Sequence, residues 1–218
     1  MPAAEGASRT VAHGKGWRLD KAVISDSTRP RILLIGDSIL HNYFPAVDEA
    51  LQGKAYLDAW FQGYCQASEE LDRMIAEVLA QGPYDIIHIN MGLHGIKDGH
   101  IPPDQFIPLT RKLVENLRRG APHAQIIWAS TTPVAPHESN GELDKASNET
   151  VQKHNRLAAQ VMTLLNVPID DLYAVASDHL DLQKPDGIHW GKEGGVVLGQ
   201  AVAAVLEKAL KEIPSDRK

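Results

Sequence analysis

Apolar positions along the chain change period again and again. Arg31-Ile-Leu-Leu-Ile35 is short, almost wholly apolar and closed by Gly36, the form of a strand buried on both faces. A helix is expected from Ser38 to about Leu51, then a second strand over Ala55 to Trp60. Leu71, Met74, Ile75, Val78 and Leu79 fall on one helical face, which Gly82-Pro83 ends. Tyr84 to Asn90 reads as a third strand. Pro102-Pro103-Asp104 opens a helix whose face is Phe106, Leu109, Leu113 and Leu117, and Gln125 to Ser130 is a fourth strand. A long helix is expected from about Asp144 to Leu165, a short strand over Val167 to Leu172, and a last helix from about Lys192 to Lys211.

Strand and helix therefore alternate through the chain. That pattern predicts an α/β domain with a five-stranded parallel sheet and helices on both faces. Ligands of such sheets sit beyond the carboxyl ends of the strands. The first 28 residues are polar and Gly/Ser/Ala-rich and are expected to be an irregular extension, with 29–218 forming one domain.

Composition narrows the function. A net charge of -6 and a pI near 5.9 leave no basic footprint for nucleic acid. No apolar run reaches membrane-spanning length, and the start lacks the apolar stretch of a secretory leader, so a cytoplasmic protein is expected, or a secreted one if a leader was removed. The one cysteine, Cys65, allows no internal disulfide. Ten histidines raise the question of a metal, but His88, His94 and His100 form no recognised ligand set, so no metal is expected.

Four loops carry candidate chemistry. Gly36-Asp37-Ser38 leaves the first strand by a tight turn and puts Ser38 at a helix start, where developing negative charge is favoured. Gln62-Gly63-Tyr64 follows the second strand with a glycine whose N–H could approach a substrate oxygen. Asn90-Met-Gly-Leu-His94-Gly follows the third with two side chains able to donate. Pro185-Asp186-Gly-Ile-His189-Trp190 precedes the last helix. A serine hydroxyl needs a base, which histidine supplies, and a carboxylate on the other ring nitrogen fixes the tautomer. Tyr43, Phe44, Tyr64 and Trp190 lie beside these loops in sequence, as a sugar platform, an acyl-pocket wall or core.

From about Arg31 to Ala209 the sequence resembles the SGNH hydrolases, or GDSL esterases. The resemblance rests on Gly36-Asp37-Ser38, on Gly63, on Ser130-Thr-Thr-Pro133 and on Asp186-Gly-Ile-His189. It implies a flavodoxin-like three-layer α/β/α sandwich and a triad of Ser38, Asp186 and His189. It also implies an oxyanion hole from the N–H groups of Ser38 and Gly63 and a side chain of the third block. There the family has Gly-x-Asn-Asp, and this chain has Gly92-Leu93-His94-Gly95. His94 is the expected donor, Asn90 its alternative. The implied substrate is a small-molecule or carbohydrate ester with a short acyl group, with no metal or organic cofactor required and no nucleic-acid or membrane partner. An acyltransferase with the same triad and a non-catalytic binding module are the competing readings. The sequence is silent on oligomeric state.

Overall fold

A computed structural model describes residues 9–96, 101–102, 104–138 and 141–213. His100 and Pro103, both named above, lie outside the described residues, as do residues 1–8 of the expected extension.

The strands are β1 (Arg9–Gly14), β2 (Trp17–Ala22), β3 (Arg31–Gly36), β4 (Tyr56–Gln62), β5 (Ile86–Asn90), β6 (Gln125–Ala129) and β7 (Ile169–Asp170). They form one sheet in the order β1-β2-β4-β3-β5-β6-β7. From β4 to β7 every pairing is parallel, so five of the strands make the expected doubly wound sheet. The sheet has seven strands rather than five, because β1 and β2 add an antiparallel hairpin to the β4 edge.

That hairpin corrects the expectation of an irregular start. Gly16, at φ +78°, makes the two-residue turn between Gly14 and Trp17. Leu19 is buried on one face of β2 and Asp20 on the other, where Arg18 grips both carboxylate oxygens at 2.6 Å. Behind it, Asp58 is fully buried in β4. It is satisfied by the Ala22 N–H at 2.9 Å, the Tyr84 hydroxyl at 3.0 Å and the Arg31 guanidinium. A buried carboxylate without such partners would be costly. This one ties the hairpin to the parallel sheet.

The helices are α1 (Ser38–Ala50), α2 (Leu71–Leu79), α3 (Phe106–Gly120), α4 (Lys145–Leu164), α5 (Leu172–Ser177) and α6 (Lys192–Glu212). Alternate residues of each central strand enter opposite cores. Leu33, Ile35, Ile87 and Ile89 pack with Met74, Ile75, Leu113 and Val161 of α2, α3 and α4. Ile32, Leu34 and Ile86 pack with Leu40, Val47, Leu198 and Val202 of α1 and α6. Fully burying each such side chain contributes about 1.5–3 kcal/mol. The result is a three-layer sandwich.

The fifth parallel strand is shorter than expected. β7 spans only Ile169–Asp170, because Asp171 caps a new helix there, its carboxylate accepting the Ala174 N–H at 3.3 Å. No described helix is long and apolar enough to cross a membrane.

Candidate active site

Ser38 is the first residue of α1, directly beyond the end of β3. Gly36 has to be small: a Cβ there would stand 2.6 Å from the Leu40 Cβ. Asp37 caps the helix by accepting the Ile39 N–H at 2.8 Å. The turn leaves the Ser38 side chain exposed at the carboxyl edge of the sheet.

The loop before α6 meets it there. His189 Nε2 lies 2.8 Å from Ser38 Oγ, and His189 Nδ1 lies 2.9 Å from Asp186 Oδ2. The other carboxylate oxygen accepts the N–H groups of Ile188 at 2.9 Å and His189 at 2.8 Å. Partial burial raises the Asp186 pKa, but the backbone N–H groups of His189 and Ile188 and then the His189 ring outweigh it. The net result is a fall to about 2. An ionised carboxylate only accepts, so Nδ1 carries the proton and Nε2 is left to accept from Ser38.

Several residues that sequence reasoning did not single out hold this loop. Asn42, one turn after Ser38 on α1, accepts the Trp190 N–H at 3.0 Å, so the helix of the serine grips the segment of the histidine. Gly187 sits at φ +70°, where a Cβ would lie 2.0 Å from the Ala135 carbonyl oxygen, and its own carbonyl accepts the Ala135 N–H at 2.8 Å. Gln183 donates to the Pro133 carbonyl at 3.0 Å. The loop after β6 is in turn held by α4. Asn148 bonds both backbone groups of Val134, and Asn155 bonds both of Thr131 at 2.9 and 3.0 Å. No pattern in sequence marks these groups, because each acts on backbone brought to it by the fold.

The expected oxyanion donors are differently placed. The Gly63 N–H is directed to the Gly16 carbonyl of the hairpin turn, a long hydrogen bond of 3.3 Å. Asn90 is buried, and its amide donates to the Ser130 carbonyl at 3.2 Å. His94 lies in a short 3-10 turn, Leu93–Gly95, with its side chain 47% exposed. Its ring lies against Gly63: a Cβ there would stand 3.5 Å from His94 Cε1. His94 Nε2 is 4.0 Å from Asp37 Oδ2. Burial pushes the Asp37 carboxyl up, opposed by the Ile39 N–H and by the charges of His94 and His189. The structure thus brings Ser38, His189 and Asp186 into one hydrogen-bonded line and sets His94 beside Gly63.

Of the neighbouring aromatics, Tyr43 and Trp190 are core at 0% and 1% exposure, so neither is a platform. Phe44 and Tyr64 are half-buried. Cys65 is a buried free thiol.

A model of the GDSL-like lipase/acylhydrolase family matches residues 34–195. Solved structures of similar fold include a carbohydrate esterase family 3 protein from Talaromyces cellulolyticus. It is 16% identical with a TM-score of 0.66, over 85% of this chain and 100% of that one. A carbohydrate acetylesterase from Sinorhizobium meliloti is 16% identical with a TM-score of 0.67, over 83% and 99%. The aryl esterase of M. smegmatis is 16% identical with a TM-score of 0.68, over the same shares. No curated protein matches the chain.

Proposed function

Because the chain belongs to the GDSL-like lipase/acylhydrolase family, and is on that ground a carboxylic ester hydrolase, we propose that it removes a short acyl group, acetyl first, from an ester of a carbohydrate. The observation that carries the reading is the unbroken line Ser38–His189–Asp186, with contacts of 2.8 and 2.9 Å.

In this reading Ser38 Oγ attacks the ester carbonyl carbon while His189 Nε2 takes its proton. Asp186, held ionised, keeps the Nδ1 proton in place and stabilises the imidazolium. The tetrahedral intermediate collapses, the C–O bond to the alcohol breaks, and His189 returns the proton to the leaving oxygen. Water then attacks the acyl-Ser38 ester with His189 again as base, releasing the acid. Donors facing the developing oxyanion are the Ser38 and Gly63 N–H groups and the His94 ring. The Gly63 N–H gives up or shares its long bond to Gly16 when it does so.

The carbohydrate and acetyl parts draw on the printed names of two neighbours, a carbohydrate esterase and a carbohydrate acetylesterase. The test is a panel of p-nitrophenyl esters of increasing acyl length together with acetylated sugars, run on wild type and Ser38→Ala. Hydrolysis that peaks at acetyl and vanishes in Ser38→Ala supports the reading. A preference for long acyl chains, or full activity without the Ser38 hydroxyl, overturns it.

A further inference from the structure

Helix α1 turns its first residues toward two different neighbours. Asn42, four residues after Ser38, reaches the segment of His189 through the Trp190 N–H. His41, three residues after Ser38, turns to β4 instead, where its ring meets Phe61 edge-on at 5.4 Å. Positions three and four apart flank one helical stripe, so Ser38 stands between the two contacts. The sheet brings Phe61 to the same place. It pairs in register with Gly36, which lies two residues before Ser38 and has no side chain to cover the ring on that flank. The Phe61 ring has little freedom to move. Phe44 meets it edge-on at 5.6 Å, and the Arg18 guanidinium, itself gripped by Asp20, lies over it at 5.9 Å. His41 is exposed and Phe61 half-buried, so the pair is an aromatic rim beside the nucleophile rather than core.

The chemistry decides which part of an ester faces this rim. His189 Nε2 must reach the leaving oxygen to return its proton, so the alcohol lies on the Asn42 side of Ser38. The carbonyl oxygen turns to its hydrogen-bond donors. The acyl chain is left the opposite side, toward His41 and Phe61. We propose that His41 and Phe61 are specificity-determining residues that wall the acyl side of the site and hold it to an acetyl-sized group. A longer chain has to displace the two rings, and the packing on Phe61 opposes that displacement. The inference rests on the esterase reading and names the residues that set its short acyl group.

The test is kcat/KM on p-nitrophenyl acetate, butanoate and hexanoate for wild type, His41→Ala and Phe61→Ala. Wild type should prefer acetate. Each variant should raise the hexanoate-to-acetate ratio about tenfold or more, the order expected when an apolar pocket gains room for a methylene. An unchanged ratio, with every ester slowed alike, means that the rings only support α1 and overturns the proposal. A wild type that prefers hexanoate overturns it as well. Should Phe61→Ala fail to fold, Phe61→Leu keeps an apolar side chain without the ring, and the exposed His41 carries the test alone. A readout that needs no turnover is the binding of methyl-, propyl- and pentylboronic acid, followed by 11B NMR. Boron bonds to Ser38 Oγ, and its alkyl group takes the place of the acyl chain. Each variant should tighten the pentyl compound relative to the methyl one by about the same factor. An unchanged ranking, or no binding at all, overturns the proposal even if no ester is hydrolysed. A shifted ranking without ester hydrolysis overturns the esterase reading alone.

Discussion

The loop carrying Asp186 and His189 and the loops carrying Gly63 and His94 are held by different means. The first is fastened through its own backbone: to α1 by Asn42, to the segment after β6 by Gly187 and Gln183, and internally by the Asp186 carboxylate. Its hydrogen bonds to the site are 2.8 to 2.9 Å. The second set has a backbone donor engaged elsewhere at 3.3 Å and a half-exposed ring 4.0 Å from the Asp37 carboxylate. One side is finished before substrate arrives. On the proposed esterase reading the other is completed only when substrate binds, which is the physical reason to seek specificity there.

Substitutions on the finished side should cost the most. Ser38→Ala should cost on the order of a millionfold in turnover on p-nitrophenyl acetate, with the melting temperature retained. A small loss there would mean that the line of hydrogen bonds is not the reacting group. Asp186→Asn should cost about ten-thousandfold, because the amide presents the wrong partner to Nδ1–H. The unfinished side should cost less. His94→Ala should lower kcat about a hundredfold. A negligible change would remove His94 from the oxyanion hole.

Asn90 sharpens the contrast. Its amide is committed to the Ser130 carbonyl. Asn90→Ala should therefore lower turnover less than about tenfold, yet destabilise the fold by about 1–3 kcal/mol as read by chemical denaturation. A loss matching that of His94→Ala would transfer the donor role to Asn90. The smallest expected effect is a titration. Asp186 should titrate near 2 by carboxyl 13C NMR, and upward of that in His189→Ala, which loses the ring's hydrogen bond and charge. Its pKa is depressed on folding, so its contribution to stability is present above the unfolded value and lost as pH falls through about 2. Asp186 is largely exposed, and solvent screening keeps that contribution small.

The parallel sheet was legible because Ile32 to Ile35, Ile86 to Ile89 and the helical stripe from Leu71 to Leu79 carry unambiguous periods. Ser38, Asp186 and His189 were legible because few other residue types do nucleophile and base chemistry. The hairpin was not. Its strands are six residues each, half polar, and β1 is nearly all exposed, so no apolar alternation marks it. Missing it hid the acceptor of the Gly63 N–H, since Gly16 belongs to that turn. Helix α5 was hidden in the same way, by an Asp171 that caps a helix where the apolar run pointed to more strand. Asn42, Asn148 and Asn155 were unreadable because an asparagine is polar whether it faces water or clamps a distant backbone.

The fastening of Gly187 to Ala135 has a consequence for how such a site can diversify. Two loops from different parts of the chain share one seam there, and the seam has no room for a single added carbon. An insertion or bulky exchange on either loop would shift His189 relative to Ser38 and, on the esterase reading, lower turnover. The hairpin on the β4 edge lies outside the family match, and its Gly16 carbonyl accepts the Gly63 N–H, so a change there reaches the proposed oxyanion donor rather than this seam. Randomising residues of that hairpin is therefore expected to alter turnover through Gly63 while leaving the Ser38–His189–Asp186 line in place.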